Sequence, residues 1–500
     1  MAERNLASGI ASTELEEGRI VAGVLDGQDV VLVRHRGRVC ALSGICTHLK
    51  APLADGIVAD GTIRCPWHHA RFDLETGEAV GAPAFAPLDR FEVVEDEGQV
   101  RIQGPKPAEA PSGDSVPDIG RVVIIGAGAA GHAAAEMLAR HGAGAAVTIL
   151  DQSEDAPYDR TFCSKQYLAG KAGRADAALP ALDVPVRLRT GVTVSAIDRA
   201  GKVVRLGSGE RIAYDTLILA TGADAVRPDF YGADRSDVHV MRELADADRL
   251  IAATARAERA VVVGSSYIGL EVAASLIARG LAVSVVSDTD LPLEKTAGPE
   301  VGAMIRDLHQ SKGVRFHPGR RVVRWDGHVA MLDDGSEVAG DLLVAGIGVE
   351  PRVALAAAAG LTLADKDAGG GVQVDAMLRT SDPAIYAIGD IASVPDPRLG
   401  HPIRVEHWVV AQRMGQWLAR HLLGRGEGEF AEVPFFWSGH YDLSLRYVGH
   451  VASPEDRRID GDMAEKDFAV TFAEQGREQA MLTAGRDVLA LEWEHRRERD

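Results

Sequence analysis

The first clues in this 500-residue sequence are what it lacks. It contains four cysteines, too few for a disulfide framework, which favours a reducing compartment such as the cytoplasm. No run of about 18 apolar residues occurs, so we expect no transmembrane helix. The N-terminal stretch MAERNLASGIASTELEEG is acidic, whereas a signal peptide would be basic and apolar. These absences predict a cytoplasmic protein without a membrane span.

Basic residues are also in deficit. The 54 Lys and Arg residues are outnumbered by 73 Asp and Glu residues, which gives a formal net charge of −19. Nucleic-acid phosphates require clustered Lys and Arg, so we expect no nucleic-acid partner. An acidic protein suits a basic redox partner instead. The length predicts about three or four domains.

The pattern of the chain changes after a linker. Residues 18–103 have the alternation of short strands, at Val21–Val24, Asp29–Val33, Arg38–Leu42, Phe91–Val94 and Val100–Ile102, and predict an all-β domain. Residues 104–118 are rich in Pro, Gly, Ala and Ser, which is linker composition. From residue 121 onward, buried apolar strands alternate with alanine-rich helical stretches, as in parallel βαβ units. We therefore predict a multidomain protein in which an all-β domain precedes α/β domains.

Two short motifs in the all-β part pair cysteine with histidine. They are Cys46-x-His48 and Cys65-x-x-His68, separated by the 16 residues from 49 to 64. Two thiolates and two imidazoles are the ligand set of a Rieske [2Fe–2S] cluster, in which the cysteines hold one iron and the histidines hold the other. Such a cluster moves one electron at a time. The two motifs therefore predict an electron carrier.

Zinc is the alternative metal for the same four side chains. A Cys₂His₂ zinc site usually places its two cysteines about two to four residues apart, and its histidines likewise, whereas here each motif holds one of each. Residues 65–78 also resemble the second ligand loop of soluble Rieske ferredoxins. His69 stands where that loop often has glycine, and we expect it either to support the ligands or to be exposed. The cluster is the favoured interpretation.

A first glycine-rich loop follows the strand Val122–Ile125. Gly126, Gly128 and Gly131 form a GxGxxG motif that opens a helix, and Asp151 ends the next strand 20 residues after Gly131. Glycines allow the backbone to approach a pyrophosphate at the helix N-terminus, and an acid at that distance suits a ribose hydroxyl. The alternative is a glycine-rich turn without a ligand. The full context favours a dinucleotide.

A second loop of the same kind is less complete. It begins at Gly264 and ends at Gly269, with Ser266 in place of the middle glycine. At the end of the following strand Ser287 occupies the expected acidic position, and Asp288 comes next. No arginine is adjacent to claim a 2′-phosphate, so NADH is favoured over NADPH. A purely structural turn is the alternative for this loop.

With these pieces in order, residues 120–500 resemble the flavin-dependent pyridine-nucleotide oxidoreductases. Within that superfamily they are similar to oxygenase-type ferredoxin reductases and apoptosis-inducing-factor-like proteins, of which a Rieske-containing variant is known. The markers are three segments, Tyr214 to Gly222, Gly346 to Pro351 and Ile385 to Asp390. The resemblance implies that the chain binds FAD and NAD(P)H and that Asp390 hydrogen-bonds the flavin ribityl chain.

The resemblance also assigns further residues to the cofactors. Arg160 and Lys165 belong to a segment whose basic side chains contact the flavin, and Glu271 corresponds to a glutamate that lies near the nicotinamide and can pair with Lys165. We expect Lys165 and Glu271 to be the catalytic residues. The remaining contacts implied by the family are Thr221, Gly222, Gly348, Gly389, Glu406, His407, Trp408 and Trp437. Ordinary structural roles are the alternatives: a surface lysine at 165, a first-turn acid at 271, and core aromatics at 408 and 437.

Cys163 is the only cysteine after the predicted linker. Disulfide reductases of this fold use two closely spaced cysteines beside the flavin, so a dithiol cycle within this chain is excluded. A small buried residue is the favoured interpretation of Cys163. A redox-active thiol is the alternative, and it would require a lowered pKa.

These features predict an NAD(P)H-dependent FAD oxidoreductase of the ferredoxin-reductase type. Electrons are expected to pass from NADH through FAD to the Rieske cluster, and then to an unidentified acceptor such as an oxygenase or a cytochrome. One alternative is a redox-sensing or signalling protein. Another is a self-contained reductase of a small inorganic or thiol substrate.

The same resemblance divides the chain into domains. We expect a Rieske domain at 1–105, a linker at 106–119, an FAD-binding domain at 120–238 and 360–430, and an NAD(P)-binding domain at 239–359. A C-terminal α+β reductase domain at 431–500 completes the chain. Its relatives often use this last domain for dimer contacts, so a homodimer is a further expectation.

Overall fold

The computed structural model describes residues 4–107, 117–182, 185–426, 428–452, 454 and 456–500. Most of the linker predicted at 106–119 lies outside the described residues, because 108–116 are not among them. The α-helices of the described part are α1 (Ala129–Arg140), α2 (Leu244–Thr254), α3 (Tyr267–Ala278), α4 (Glu294–Ser311), α5 (Ala354–Ala358), α6 (Trp408–Leu422) and α7 (Asp487–Arg497). None of these helices combines the length and apolar character that a membrane crossing requires.

The N-terminal domain consists of two antiparallel sheets. The six-stranded sheet has the order Ile10–Ala11, Gln99–Lys106, Arg90–Asp96, Arg38–Ser43, Gln28–His35, Ile20–Leu25. The four-stranded sheet runs Ile57–Ala59, Thr62–Arg64, Arg71–Asp73, Ala79–Gly81 and carries the second ligand motif between its middle strands. Each strand predicted from alternation is present, and most are longer at their ends because cross-strand hydrogen bonds continue into the turns.

The first α/β domain is built on a five-stranded parallel sheet. Its order is Arg187–Arg189, Val147–Leu150, Val122–Ile125, Thr216–Leu219, Ile385–Ala387. Its central strands are buried on both faces, as the continuous apolar runs predicted. Helices α1 and α6 pack against each other: a Cβ on Gly415 of α6 would lie 2.2 Å from the carbonyl oxygen of Ala130 in α1. This close approach brings the end of the chain's first GxGxxG loop next to α6.

The second α/β domain is also built on a five-stranded parallel sheet. Its parallel sheet has the order Val238–Val240, Leu342–Ala345, Arg259–Val263, Ala282–Val286, Arg315–His317, and α3 begins directly after its glycine loop. Among the described residues, four smaller sheets flank the two domains. Two of them have three strands each, Val194–Asp198, Val203–Leu206 and Arg211–Ala213 in one and Val322–Trp325, Val329–Leu332 and Glu337–Ala339 in the other. A third pairs Ala223–Ala225 with Val349–Pro351, and the fourth consists of Val372–Gln373, Ala392–Asp396 and His401–Ile403.

The C-terminal region is an antiparallel sheet covered by α7. The strand order is Phe435–His440, Leu443–Gly449, Arg477–Ala484, Asp467–Glu474, Asp456–Asp462. The N-terminal domain packs on this region and on α6. An apolar cluster joins Ala82 of the N-terminal domain to Val409, Phe435 and Trp493. The predicted fold class, an all-β domain followed by two Rossmann-like domains and a C-terminal α+β domain, is confirmed.

Candidate active site

The two cysteine–histidine motifs form matching loops. The amide of Cys46 donates to Ala51 and its carbonyl accepts from Lys50, while Cys65 makes the same pair of bonds with Ala70 and His69. Both loops turn through a left-handed residue, Lys50 at φ +63° and His69 at φ +59°. Glycine is the residue that usually occupies such a position, which explains the glycine that often stands where this chain has His69.

These loops bring the four predicted ligands together. The thiols of Cys46 and Cys65 are hydrogen-bonded to each other, which lowers the pKa of Cys65 and raises the pKa of Cys46. The rings of His48 and His68 lie 5.0 Å apart, edge to face. Burial lowers the pKa of His48 to about 4 and that of His68 well below its usual value, so both imidazoles are in the neutral, ligating form.

An unpartnered nitrogen atom among these four residues also indicates a metal site. His48 Nδ1 is buried and has no hydrogen-bond partner. A buried polar atom without a partner is destabilising, and a metal bond would satisfy it. Two facing thiols beside two buried neutral imidazoles match the donor set of a [2Fe–2S] cluster with mixed ligation.

A large cavity of about 970 Å³ opens between the two α/β domains and the C-terminal sheet. Most of the residues expected at the cofactors line it: Gly126, Gly128, Asp151, Arg160, Lys165, Thr221, Gly222, Glu271, Gly348, Gly389, Asp390, Glu406, His407, Trp408 and Trp437. Its volume and its glycine-lined entrance fit a dinucleotide. Gly131, Gly264, Gly269 and Asp288 do not line it.

The glycines outside the cavity wall act in packing. A Cβ on Gly131 would lie 1.9 Å from the carbonyl oxygen of Gly126, and a Cβ on Gly269 would lie 2.3 Å from that of Gly264. Each third glycine therefore lets its helix approach the strand before it, which is the packing role this position has in the fingerprint. Gly264 itself would place a Cβ 2.4 Å from the carbonyl oxygen of Gly346.

The acids that follow the two loops have different surroundings. Asp151 lines the cavity, and its carboxylate accepts hydrogen bonds from the amides of Ala127 and Ser153. Asp288 lies outside the cavity with half of its side chain exposed, 3.7 Å from Arg321. Arg321 is distant in sequence but lies close to this strand end in the folded chain. The absence of an adjacent arginine in the sequence therefore does not favour NADH over NADPH.

Lys165 and Glu271 meet at the cavity wall. Lys165 Nζ lies 3.0 Å from Glu271 Oε2, and the hydroxyl of Ser164 donates to the same oxygen at 2.7 Å. Lys165 stands on a π-helical turn, Cys163–Tyr167, a widened turn that is frequent at functional sites. Neither residue is a solvated surface charge, because Glu271 is buried and Lys165 is largely covered.

Asp390 is held by a residue that the sequence analysis did not identify. Its carboxylate accepts from Arg242 Nη2, while Arg242 Nε donates to the carbonyl of Ala223 at 3.1 Å. Both residues line the cavity. Arg242 lies 148 residues before Asp390, so no local sequence signal could have linked them.

Trp437 connects the cavity with the ligand loops. It lines the cavity and its ring centroid lies 4.2 Å from that of His68 and 6.4 Å from that of His48. The ligand histidines therefore point towards the cavity and not towards solvent. A single indole spans the distance between the two predicted cofactor sites.

A buried ionic network holds the N-terminal domain in this position. His69 is fully buried, stacks on Phe435 with ring centroids 3.9 Å apart, and hydrogen-bonds Glu494 through Nδ1. Arg413 Nη1 lies 2.5 Å from Glu494 Oε1, and Arg71 Nη2 lies 3.3 Å from the same oxygen. His69 is therefore not exposed, and it contacts the reductase.

The network is ionic because Glu494 is held in its charged form. Burial alone would raise its pKa, but Arg413 and His69 hold it well below the usual value. A permanently ionised carboxylate with three cationic or hydrogen-bonding partners is well compensated, although buried. Peripheral pairs extend the same interface, with Arg64 2.7 Å from Glu498 and Arg499 3.0 Å from Asp60.

Cys163 lines the cavity and is buried, and burial raises the pKa of its thiol to about 12. The thiolate is the reactive form of cysteine, so Cys163 is a neutral thiol at neutral pH. The structure therefore favours the interpretation of Cys163 as a small buried residue.

Two family models match the chain. The model for the pyridine nucleotide-disulphide oxidoreductases matches residues 120–415, and the model for the Rieske [2Fe–2S] domain matches residues 8–92. The second match covers all four predicted cluster ligands. The first covers both glycine loops and Asp390.

Several characterised proteins resemble the chain over most of its length. It is 30% identical to apoptosis-inducing factor 3 of Homo sapiens over 96% of this chain and 80% of that protein. It is 36% identical to the ferredoxin–NAD(+) reductase component of the anthranilate 1,2-dioxygenase system of Burkholderia cepacia, over 73% of this chain and 91% of that one. Among solved structures, the covalent putidaredoxin reductase–putidaredoxin complex matches with a TM-score of 0.72 and 29% identity, covering 76% of this chain and 93% of that chain.

The predicted cofactors and enzyme class are confirmed by these matches. The chain is an NAD(P)H-dependent FAD oxidoreductase, and its N-terminal domain is a Rieske [2Fe–2S] domain. It belongs to the pyridine nucleotide-disulphide oxidoreductase family, in a branch that includes apoptosis-inducing factor 3 and the ferredoxin reductases of oxygenase systems.

Proposed function

We propose that this chain takes electrons from NADH into FAD, passes them one at a time to its own Rieske cluster, and delivers them to an acceptor protein such as an oxygenase component or a cytochrome. The observation that carries the proposal is the position of Trp437, which lines the cavity and contacts the ring of His68 at 4.2 Å. The two sites are adjacent in one chain, so the internal transfer needs no separate ferredoxin.

The chemistry divides between the cofactors and the protein. When bound, FAD accepts the two electrons of a hydride and releases them singly, and the Rieske cluster accepts them one at a time. The chain's part is positional and electrostatic. Arg160, Lys165 and Glu271 line the cavity, and we assign to the Lys165–Glu271 pair the task of orienting the nicotinamide and stabilising negative charge on the reduced ring.

We propose the same domain division that the sequence suggests. The Rieske domain at 1–105 is the internal electron acceptor, the segments 120–238 and 360–430 bind FAD, and 239–359 binds the nicotinamide nucleotide. The region 431–500 holds the Rieske domain in place, since Phe435 and Glu494 supply its contacts. We take NADH as the donor by analogy with the Burkholderia cepacia relative, which is named as a ferredoxin–NAD(+) reductase. NADPH stays a candidate because Arg321 approaches the strand end at which a 2′-phosphate would lie.

The acceptor is proposed by analogy with the relatives. The Burkholderia cepacia relative is named as the reductase component of a dioxygenase system, and we propose that this chain likewise serves a separate acceptor protein, with a net charge of −19 suited to a basic partner. We further propose a cytoplasmic location, since none of the four cysteines, all of them among the described residues, forms a disulfide, and a homodimer formed through the C-terminal region. A self-contained thiol reductase is less well supported, because the pKa of Cys163 is raised to about 12.

An anaerobic titration with NADH tests the proposal. In the wild-type holoprotein, the flavin absorbance should bleach and the electron paramagnetic resonance signal of a reduced Rieske cluster should appear. The Cys65→Ser variant should still bleach on NADH addition but should show no cluster signal and should not reduce cytochrome c, used as a basic one-electron acceptor. Cys40→Ser is the matched control, because Cys40 lies in the same domain outside the ligand loops and should behave as wild type. Undiminished cytochrome reduction by Cys65→Ser would contradict the internal route.

A further inference from the structure

A continuous chain of hydrogen bonds runs away from the cavity through residues that the proposed function does not use. Ser438 Oγ donates to Glu271 Oε1 at 2.6 Å and lies 3.2 Å from His440 Nε2. His440 Nδ1 lies 3.3 Å from His309 Nε2. His309 Nδ1 lies 3.4 Å from the hydroxyl of Tyr441. Three side chains thus connect the Lys165–Glu271 pair with the partly exposed Tyr441.

The chain begins in the interior and ends at the surface. Glu271, Ser438, His440 and His309 are all buried. Tyr441 is only partly buried, and the exposed Lys312 lies over its ring, with Nζ 5.8 Å from the centroid. The path therefore spans the protein wall between the cavity and solvent.

His309 and His440 are buried polar residues at the contact between two domains. His309 lies on α4 and His440 ends the strand Phe435–His440, so their contact joins the NAD(P)-binding domain to the C-terminal region. Burial lowers the pKa of each to about 3, so both are neutral imidazoles, each with one donor and one acceptor nitrogen. Packing alone would favour apolar side chains here, because burying polar groups is costly.

One assignment of protons satisfies the whole chain. The Tyr441 hydroxyl donates to His309 Nδ1, His309 Nε2 donates to His440 Nδ1, His440 Nε2 donates to Ser438, and Ser438 donates to Glu271. The opposite assignment is obtained by rotating the two hydroxyls and switching the tautomer of each imidazole. Every member can therefore accept a proton on one side and release one on the other.

The overall reaction requires such an exit. Oxidation of NADH by one-electron acceptors follows NADH → NAD⁺ + 2 e⁻ + H⁺, because the hydride carries one proton with its two electrons. The cluster and an external one-electron acceptor protein take the electrons alone. One proton for each NADH therefore has to leave the buried site.

We propose that Glu271, Ser438, His440, His309 and Tyr441 form a proton relay that carries this proton from the cavity to the surface. The relay rests on the proposed function. The transfer starts from the opposite assignment, in which both imidazoles carry their proton on Nδ1. The Glu271 carboxylate takes up the proton and gives it to Ser438 Oγ, while Ser438 gives its own hydroxyl proton to His440 Nε2. The N–H bond at His440 Nδ1 then breaks as one forms at His309 Nε2, and the proton of His309 Nδ1 leaves through Tyr441 to water. Each imidazole ends as the other tautomer and Glu271 is again a carboxylate, so the net charge of the relay is unchanged. Rotation of the two hydroxyls and return of the two tautomers reset the relay for the next proton.

Stopped-flow measurement of proton release tests the relay. The holoprotein is mixed with NADH and excess cytochrome c, the one-electron acceptor, in weak buffer containing a pH-indicator dye, and flavin bleaching, cluster reduction and proton release are recorded together. In His309→Gln and His440→Gln, the rate of proton release relative to flavin bleaching should fall on the order of 10²-fold, at the low end of what a positioned proton-transfer group contributes. An amide keeps hydrogen bonds but cannot switch tautomers. His239→Gln is the control, because His239 is a partly buried histidine with a lowered pKa outside the relay, and it should release protons as the wild type does.

A second measurement does not depend on turnover. In full-length Cys65→Ser protein with ¹⁵N-labelled histidine, a coupling across the hydrogen bond between His309 Nε2 and His440 Nδ1 should be seen by NMR. Absence of that coupling would overturn the relay. The relay would also be overturned if both glutamine variants kept the wild-type rate of proton release and the wild-type ratio of that rate in H₂O to that in D₂O. Free imidazole should restore proton release in His309→Gly, and a purely structural role would not give this rescue.

The proposed function and the relay can be tested separately. If the proposed function is wrong, wild-type protein will bleach with NADH without reducing its cluster, and the relay is then overturned as well. If only the relay is wrong, the wild-type cluster will be reduced, and the glutamine variants will release protons as fast as the His239→Gln control.

Discussion

His68 and His69 are neighbours in sequence but face opposite kinds of environment. The ring of His68 lies against Trp437, which belongs to the cavity wall. The ring of His69 lies on Phe435 and bonds to Glu494, which belongs to a buried ionic network. The first contact leads to the cavity in which we propose that FAD binds, and the second attaches the Rieske domain to the reductase.

The different surroundings of His68 and His69 indicate that the interface between the Rieske domain and the reductase has two kinds of contact. Within the described ranges, the contact to which we assign electron transfer is aromatic and is made by Trp437. Contacts for attachment are charged, buried and shared among Arg71, Arg413 and Glu494. Buried ion pairs are demanding in geometry, and removing one partner is strongly destabilising because it leaves the other charge buried without compensation. The following predictions separate the two roles.

The largest effect is expected from Glu494→Ala. The change leaves Arg413 and His69 buried without their carboxylate, and removal of one partner from a buried ion pair destabilises a protein by about 3–5 kcal/mol. Chemical denaturation should show this loss, and the cluster should be reduced more slowly because the Rieske domain is less firmly held. Glu492→Ala, on the exposed face of the same helix, is the control. A change of similar size in both variants would argue against a special role for the network.

Trp437→Leu should affect electron transfer and leave attachment in place. We expect cluster reduction to slow at least about tenfold, which corresponds to about 1.4 kcal/mol in the activation barrier, while the ionic network stays intact. Stopped-flow absorbance after mixing with NADH measures the rate. Trp67→Leu provides the comparison, because Trp67 flanks His68 at 6.4 Å on an exposed side. Equal rates in the two variants would contradict the assigned path.

His69→Gly should have a smaller effect on stability. The change removes a hydrogen bond to a charged group and an aromatic contact, but glycine relieves the left-handed backbone, so we expect a net loss of about 1–2 kcal/mol. Thermal unfolding measures the difference. Lys50→Gly changes the equivalent residue of the first loop, which is exposed and also left-handed. That variant should be neutral or slightly stabilised, and a loss equal to that of His69→Gly would show that loop strain, not attachment, is being measured.

The smallest effect concerns pH. The pKa of Glu494 is lowered in the folded protein from about 4.3 in an unfolded chain. Its contribution to stability is therefore complete above that unfolded value and is lost only as the pH falls through the lowered folded value. The difference in unfolding free energy between wild type and Glu494→Gln should stay constant from pH 8 to about pH 5 and shrink only below about pH 4. A decline between pH 8 and 6 would contradict an ionised Glu494 held by Arg413.

Local patterns predicted much of this architecture. The cluster ligands, the first glycine loop with Asp151 and the alternation of strands and helices are each predicted from a short stretch of sequence, and the structure brings the four ligands together and places Asp151 in the cavity wall. The pairing of Lys165 with Glu271 came from the family resemblance, and the structure has this contact at 3.0 Å. Asp288 was expected at the nucleotide, but the structure places it outside the cavity, because Ser287 and not Asp288 turns inward at the strand end.

The sequence by itself determined that this protein has a Rieske domain and two nucleotide-binding domains, since glycine loops and ligand motifs are local and require only their own residues. Tertiary structure alone decided how these parts meet. Trp437 approaches His68, His69 bonds to Glu494, and His309 contacts His440 across separations of up to 425 residues. Contacts between distant segments depend on the packing of whole domains, for which no local pattern carries a signal.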